Sequence, residues 1–159
     1  MTTRDTVTEM IDDLRTKIET GNPKFRGKTV NVYSQDEVLL APGVIGCPAI
    51  AITYLGWTTK NPGDQTASGK DLTGFAQYGV WVLTDNRSDD ATTLIGAVES
   101  DFKNSTLKVL KSCRDSIKLT TSPAGAKWAL LREAPAPLDD VHLAYLQVWR
   151  ATIHFQGER

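Results

Sequence analysis

The chain has 159 residues, of which 40% are hydrophobic and 23% are charged, and its formal net charge is −1. These values predict a single globular domain over residues 1–159 and exclude an intrinsically disordered chain. The near-neutral charge gives no reason to expect sequence-specific nucleic-acid binding, and no apolar run approaches the ~20 residues that cross a bilayer. The polar, acidic N-terminus lacks the pattern of a signal peptide, so we expect a cytosolic protein whose partners are proteins or small molecules.

Chemically reactive residues form no workable cluster in the sequence. Cys47 and Cys113 are the only cysteines, and they lie far apart without metal-ligand spacing. His142 and His154 would lie about 40 Å apart on a straight strand, so they cannot share a ligand or a proton. The adjacent carboxylate pairs are typical of turns and helix caps. We therefore expect no enzymatic activity, no cofactor and no bound metal.

The predicted elements begin with an amphipathic helix over Thr6–Thr20, which Gly21 ends. Thr29–Tyr33 alternates as a short strand, and the prolines and glycines of Val38–Gly46 predict a loop. Ala49–Gly56 is poor in charge on both faces, as in a strand near the middle of a sheet. The apolar residues of the first helix share one face: Val7, Met10, Ile11, Leu14 and Ile18.

A long polar segment without apolar periodicity follows, over Trp57–Thr73. Most connections are about four to six residues long, and longer ones are disproportionately binding loops or disordered arms. Gly74–Asp85 then returns as a strand in which Gly79 indicates a bulge or a close packing contact. The two strands and the segment between them predict one extended hairpin with a protruding arm at 57–73.

The second half of the chain predicts two helical stretches and two strands. Apolar residues recur at helical spacing over Leu94–Phe102 and again over Leu107–Ile117. Thr120–Gly125 predicts a loop, Lys127–Arg132 a strand, and Ala134–Leu138 an extended, proline-rich link.

The closing segment, Val141–Phe155, predicts the longest strand. A helix capped by Asp139 or Asp140 competes for its first half, but the β-branched and aromatic residues of Arg150–Phe155 favour a strand. So long a strand predicts a bulge or an end that reaches past the domain body. One parity predicts a core face, interrupted only by Gln147, and the other a mixed, partly wet face. The core parity holds Val141, Leu143, Tyr145, Gln147, Trp149, Ala151, Ile153 and Phe155.

This order of elements predicts an α+β fold. We expect a mainly antiparallel or mixed sheet of about five strands, with helices packed on one face and a long extended hairpin arm.

In element order the chain resembles the tail terminator proteins of tailed bacteriophages, which are small tail-completion proteins. The resemblance covers most of the chain but contains no catalytic signature. It rests on the N-terminal helix Thr6–Thr20, the Val30–Tyr33 strand, the proline-led segment Cys47–Ile52, the hairpin arm to Leu83, the Asp89–Phe102 helix and the aromatic closing strand Tyr145–Phe155.

The resemblance implies a structural virion protein that forms a homohexameric ring at the head-proximal end of the tail tube. Such a ring stops tube growth and offers a docking face to the head-completion or neck proteins. Its partners would be other copies of itself, the tail tube protein and neck proteins, and its assembly would take place in the host cytoplasm. The long hairpin and the long closing strand agree, because ring-forming subunits need elements that reach a neighbour.

The residues expected at the subunit or tube interface lie in the arm and on the closing strand, and their charges are expected to set register. Two alternatives stay open: another head–tail connector of the same particle, and a small cytosolic ligand-binding domain or enzyme with a concave polar pocket. The expected interface residues are Trp57, Lys60, Asp64, Lys70, Asp71, Arg150 and His154.

Overall fold

The computed structural model describes residues 6–32, 35–46, 48–59, 72–84, 106–138 and 143–155. Within them the fold is α+β, as predicted, with helices packed on a mixed five-stranded sheet. Along the chain the elements are α1 (Thr6–Gly21), a 3₁₀ turn (Pro23–Phe25), β1 (Thr29–Asn31), α2 (Gln35–Val38), α3 (Ala41–Ile45), β2 (Ala49–Thr59), β3 (Leu72–Thr84), α4 (Thr106–Ile117), β4 (Ala129–Pro135) and β5 (Leu143–Phe155).

The strands lie side by side in the order β1-β2-β3-β5-β4. β1 is parallel to β2, with Thr29 beside Ile50, and all other pairs are antiparallel. The helices α2 and α3 lie in the connection between β1 and β2, which a parallel pair requires because a tight hairpin cannot join its strands. β2 and β3 form the predicted hairpin, paired from Ala49 with Leu83 to Thr59 with Gly74.

The larger hydrophobic core lies between one face of the sheet, called the first face, and the helices α1 and α4. The predicted apolar stripe of α1 is confirmed, since Met10, Leu14 and Ile18 are completely buried. Gly21 lets the two helices approach closely, because a Cβ atom there would lie 2.1 Å from Ser116 Oγ. The sheet contributes alternate residues of its three central strands: Ile50, Ile52, Ala76, Tyr78, Val80, Val82, Trp149, Ala151 and Ile153.

A second, smaller core covers the opposite, second face and was predicted only in part. Val38–Gly46 was expected to be a loop, but most of it belongs to α2 and α3, whose Val38 and Ala41 are buried against this face. Pro42 fits the first turn of α3 because a helix leaves that N–H unpaired, and Gly46 ends it at a φ of 74°. The expected packing of helices on one face therefore holds for the long helices, whereas two short ones pack on the other.

The closing strand is confirmed over Leu143–Phe155, while Val141 and His142 lie outside the described residues. Trp149 and Ile153 are buried as expected, and Tyr145 is partly buried. The second face of β5 is mixed and partly wet, as predicted, with its first half buried and its second half, from Arg150 to His154, partly or fully exposed. Residues of α2 and α3 and the link after β4 cover the first half, so both of its faces are apolar and the chain shows no simple alternation there. The second-face residues buried in β5 are Ala144, Leu146 and Val148.

The register of β5 against β3 is continuous from Leu143 to Phe155, so the expected bulge does not lie in this strand's ladder with β3. The irregularities lie elsewhere in the sheet. One is between Tyr54 and Gly56 of β2, in its pairing with β3, and the other is between Leu130 and Arg132 of β4, in its pairing with β5.

Several predicted boundaries shift. Part of the expected polar excursion is strand, since β2 continues through Thr59 and β3 begins at Leu72; residues 60–71 lie outside the described residues. β1 ends at Asn31, and β4 runs through Pro135 into the expected link. The helix predicted over Leu94–Phe102 also lies outside the described residues.

Candidate functional site

Three strands of the sheet continue past the point where β4 stops. The last β4 pair joins Ala129 to Arg150, so residues 151–155 of β5 pair with β3 alone. On the other side of β3, β2 keeps its pairing after the bulge up to Thr59. We call this three-stranded part, residues 56–59, 72–77 and 150–155, the sheet extension. Residues 151–155, which lie beyond the last pair with β4, span roughly 16 Å at the usual rise per strand residue.

The two faces of the sheet extension differ in cover. On the first face Ala76, Ala151 and Ile153 are buried, and Trp57 packs against the same core. This arrangement anchors the sheet extension to the domain. On the second face the side chains are polar or aromatic and are partly or fully exposed, so this face has room to contact another molecule. Its residues are Thr58, Thr73, Phe75, Gln77, Arg150, Thr152 and His154.

Two contacts across β3 and β5 hold the side chains of this second face. The guanidinium carbon of Arg150 lies 4.3 Å from the centroid of the Phe75 ring, within the range of a cation–π interaction. Thr73 Oγ1 and His154 Nδ1 form a hydrogen bond of 2.5 Å. The extension therefore presents a cation on an aromatic ring and a histidine held by a hydrogen bond.

The structure separates the expected interface residues. Arg150 and His154 share the second face of the sheet extension, whereas Trp57 lies on the first face with its ring packed against the core. Trp57 was expected in a loop, but it belongs to β2, where alternation places it opposite the other two. The remaining expected residues lie outside the described residues: Lys60, Asp64, Lys70 and Asp71.

An apolar groove of about 290 Å³ lies beside β1, at one end of the strand order. We call it the edge groove. Its wall includes Leu40 and Val44, which are 66% and 76% exposed, and the acidic side chain of Glu37; Asp36 beside it is also exposed. The prediction of a loop over Val38–Gly46 missed this feature, although the apolar residues around Pro42 and Gly43 were its visible signal. The lining residues are Val30, Val32, Glu37, Leu40, Ala41 and Val44.

The opposite end of the strand order carries exposed leucines. Leu130 and Leu131 of β4 are 38% and 43% exposed, and β4 pairs only with β5 in the described part of the chain. Exposed cations, Lys127 and Arg132, flank them. We call these four residues the leucine ridge. Apolar side chains on an unpaired strand edge are unusual in a protein that works alone, since edges of this kind promote association.

A polar groove of about 570 Å³ lies between the end of α1 and the exposed side of α4. It contains three lysines, Lys24, Lys108 and Lys111, against one carboxylate, Asp115. Hydrogen bonds from Lys111 and Lys118 lower the pKa of Asp115, so this carboxylate is ionised and offsets part of the positive charge. We call this the basic groove. Its other lining residues are Gly21, Asn22, Ser112 and Ser116.

The polar residue in the core face of β5, Gln147, belongs to a buried network. Its Nε2 donates to Glu133 Oε1 at 2.8 Å and to the Leu110 carbonyl at 3.0 Å. Its Oε1 accepts a hydrogen bond from Trp149 Nε1 at 3.1 Å, and Arg114 binds the same carboxylate of Glu133 at 2.5 Å. Each polar atom of the amide thus has a partner, so the network ties β5 to β4 and α4.

Cys113 lies in the same core, completely buried. Burial raises the pKa of its thiol from 9.0 to about 12, and the neighbouring Glu133 carboxylate acts in the same direction. A thiol in this state is protonated at neutral pH and is a poor nucleophile. Cys47, the other cysteine, and His142 lie outside the described residues.

The described residues contain neither a metal-ligand cluster nor a membrane-spanning helix. No group of three or more His, Cys, Asp or Glu side chains there is arranged to hold a metal ion. None of the helices in this part of the chain has both the length and the apolar composition to cross a bilayer.

The sequence matches no protein-family model and no curated protein at a significant level.

Proposed function

We propose that the protein is a structural component of a phage tail that forms a ring at the head-proximal end of the tail tube. The ring stops tube polymerisation and offers a docking face to neck proteins. The observation that carries the proposal is the sheet extension, whose first face is anchored in the core while its second face is partly exposed. β3 and β5 have 13 residues each, longer than strands usually are, and the extra length is available to reach a neighbour.

The chemistry of the second face supports a protein partner. Strand alternation places polar residues, the Arg150–Phe75 pair and His154 together on this face. Its composition resembles that of protein interfaces, in which aromatic and Arg residues are enriched. The cation on this face favours an acidic strip on the tube. Because the Phe75 ring holds the guanidinium in place, Arg150 loses less side-chain freedom on binding than a free arginine would.

Tube-length measurement tests the proposal directly. Tail tube protein is polymerised with and without this protein, and electron microscopy records the tube lengths and the end structures. We expect shorter tubes of uniform length with a ring on one end. Arg150→Ala should weaken the capping, whereas Lys118→Ala, which removes an exposed cation on the helical side of the molecule, should not. Unchanged tube lengths with unmodified ends would contradict the proposal.

A different ring size would favour another connector protein of the same particle, the nearest alternative. Image classification of the rings by rotational symmetry separates the two: six subunits agree with a terminator, and twelve with a connector. A terminator and a connector would both contact their partner through the second face of the sheet extension, so only the number of subunits and the identity of the partner distinguish them.

The basic groove favours a second candidate function, a small ligand-binding domain for an anion. Its three lysines and two serines offer donors to a phosphate or carboxylate, although Asp115 opposes an anion. Calorimetric titration with inorganic phosphate tests this candidate. Saturable binding that Lys108→Ala abolishes would favour it, and the absence of heat would exclude a phosphate site in the groove.

A further inference from the structure

We infer that the leucine ridge of one copy docks into the edge groove of a second copy, so that each contact between subunits joins two different surfaces. This inference deepens the proposed function, since it names the contact that builds the ring, and it rests on that function for its biological meaning. The contact itself follows from the two surfaces alone.

The two surfaces match in shape and polarity. The edge groove is a concave apolar surface of about 290 Å³, and Leu130 and Leu131 are exposed apolar side chains on a strand edge. Burial of such side chains in a partner's groove removes apolar area from water on both copies. One copy therefore offers the projection and the next copy offers the cavity.

Their charges also match. Asp36 and Glu37 stand at the edge groove, whereas Lys127 and Arg132 flank the leucines of the ridge. Opposite charges around an apolar centre orient the partners and disfavour a groove-to-groove or ridge-to-ridge contact.

The positions of the two surfaces in the sheet favour a contact between different surfaces over a symmetric dimer. The edge groove adjoins β1 and the leucine ridge belongs to β4, which are the two ends of the strand order. A contact between different surfaces leaves one groove and one ridge free on every pair, so association continues and gives a closed ring where the rotation between subunits permits it. A partner of another kind would need only one of these surfaces, so the presence of both favours a second copy.

Two charge variants and their mixture test the inference by analytical ultracentrifugation. Val44→Glu places a charge in the groove and Leu131→Glu places one on the ridge; both positions are exposed, so the fold should survive. We expect each variant alone to associate at least about tenfold more weakly than the wild type, because a charge replaces a buried apolar contact. Leu119→Glu, at a position 79% exposed and outside both surfaces, is the matched control and should associate normally.

The equimolar mixture of Val44→Glu and Leu131→Glu gives the decisive result. The first variant keeps an intact ridge and the second an intact groove, so the mixture should form dimers with one of each and stop there. Cysteine trapping detects the contact even if one ridge–groove contact is too weak to hold a dimer during ultracentrifugation. Val44→Cys mixed with Leu131→Cys, each in a Cys47→Ser background, should form a mixed disulfide under mild oxidation. Neither variant should cross-link on its own.

The outcomes separate this inference from the proposed function. Loss of association in both variants without a mixed dimer or mixed disulfide would overturn the docking, and so would normal association of both variants. In the latter case the wild-type rings and their tube capping would remain, and only the contact would be wrong. Mixed dimers from a protein that leaves tube lengths unchanged would support the docking and contradict the tail function. A wild type that stays monomeric and gives no mixed disulfide would overturn the docking.

Discussion

Gln147 and Trp149 show how single residues determine the position of the closing strand. A glutamine completely buried in an apolar face is costly unless its amide is hydrogen-bonded. Here the amide donates to the Leu110 carbonyl of α4 and to Glu133 of β4, and it accepts from the indole of Trp149 on the same strand. A slip of β5 by one residue would move the amide to the other face and break its bonds to α4 and β4.

Replacement of Trp149 by alanine should lower the free energy of unfolding by ~3–5 kcal/mol, because the residue is among the largest fully buried side chains. The loss has two parts: the cavity in the core, and the removal of a hydrogen bond to Gln147 Oε1. Chemical denaturation measures it. Thr152→Ala, three positions along on the partly exposed face, is the control and should change stability by under ~1 kcal/mol. Equal melting of Trp149→Ala and wild type would contradict the packing of this face.

Cys113 should make stability depend on pH in the alkaline range. Burial raises the pKa of the folded thiol from 9.0 to about 12, so above pH 9 the unfolded chain releases a proton that the folded chain keeps. The thiol's contribution is therefore complete below pH 9 and is lost as the pH rises towards 12, by up to about 1.4 kcal/mol per pH unit. Urea denaturation between pH 8 and 11 measures this slope.

Cys113→Ala is the control for that slope. The variant has a cavity and lower stability at pH 8, but it lacks the titrating thiol, so its stability should fall less steeply with pH. Other groups titrate equally in both proteins and cancel in the difference. Parallel curves for the two proteins would mean that the folded thiol ionises near its usual pKa and is not enclosed.

At the scale of elements, the contact between α1 and α4 depends on the absence of a side chain at Gly21. A Cβ atom there would approach Ser116 Oγ to 2.1 Å and Ser116 Cβ to 2.7 Å. Gly21→Ala should therefore cost about 1–3 kcal/mol of folding free energy, through the strain of overpacking, as measured by chemical denaturation. Gly43→Ala, where no atom lies within 4 Å of the added carbon, is the matched control.

A second substitution tests whether Ser116 is the cause. Ser116→Gly removes both clashing atoms and by itself should cost roughly 1 kcal/mol, since glycine is a poor residue inside a helix. In the double variant the strain disappears, so the two effects should be clearly less than additive. Additive losses would show that the helices are not in contact at this point.

The sequence predicts elements well where one physical signal acts alone. Apolar residues recur with helical spacing in α1 and with strand alternation from Arg150 to Phe155, and the structure confirms both elements. At Gly79 the sequence left a bulge and close packing open, and the structure shows close packing, because a Cβ atom would lie 2.8 Å from Thr53 Oγ1. The bulge in β2 lies instead beside Gly56, whose φ is 124°, and the bulge in β4 lies at Leu130–Arg132, where the sequence has no glycine or proline.

The sequence fails where two faces of an element are covered by unrelated parts of the chain. Leu146 and Val148 are buried by the second core, so the first half of β5 shows no alternation that would separate its faces. The α2–α3 region was hidden by Pro42 and Gly43, which predict a loop but also fit short helices. The edge groove was missed for the same reason, because its walls come from that region and from β1.

The sequence predicted which strand carries the candidate interface but not every side chain that belongs to it. Arg150 and His154 were placed on one face by alternation, and the structure confirms that they share it. Trp57 was assigned to the same interface because its segment was interpreted as a loop, and the extension of β2 places it on the other face. Composition alone does not show where a strand ends inside a polar segment.

At the scale of the whole molecule, the candidate surfaces lie along two different directions. The edge groove and the leucine ridge are separated across the strand order, by about 19 Å at the usual spacing of strands. The sheet extension points along the strands instead. Contacts between copies of the chain therefore need not compete with a contact between the sheet extension and a tube, and a ring built from the edges would leave every sheet extension available.

The arm predicted at the tip of the β2–β3 hairpin gives the final test of this arrangement. Replacing Lys60–Lys70 with a short Gly-Ser turn should change the free energy of unfolding by at most about 1 kcal/mol, because loop closure depends weakly on length and the pairs up to Thr59 and Gly74 remain. The same protein should fail to form rings or to limit tube length, since the charged residues of the arm are expected to set register against a neighbour. A Gly-Ser replacement of Gln65–Ser68 alone keeps both length and charges and should cap tubes normally. If the shortened protein still forms rings and still limits tube length in electron micrographs, the arm is idle, and the leucine ridge, the edge groove and the sheet extension make the contacts without it.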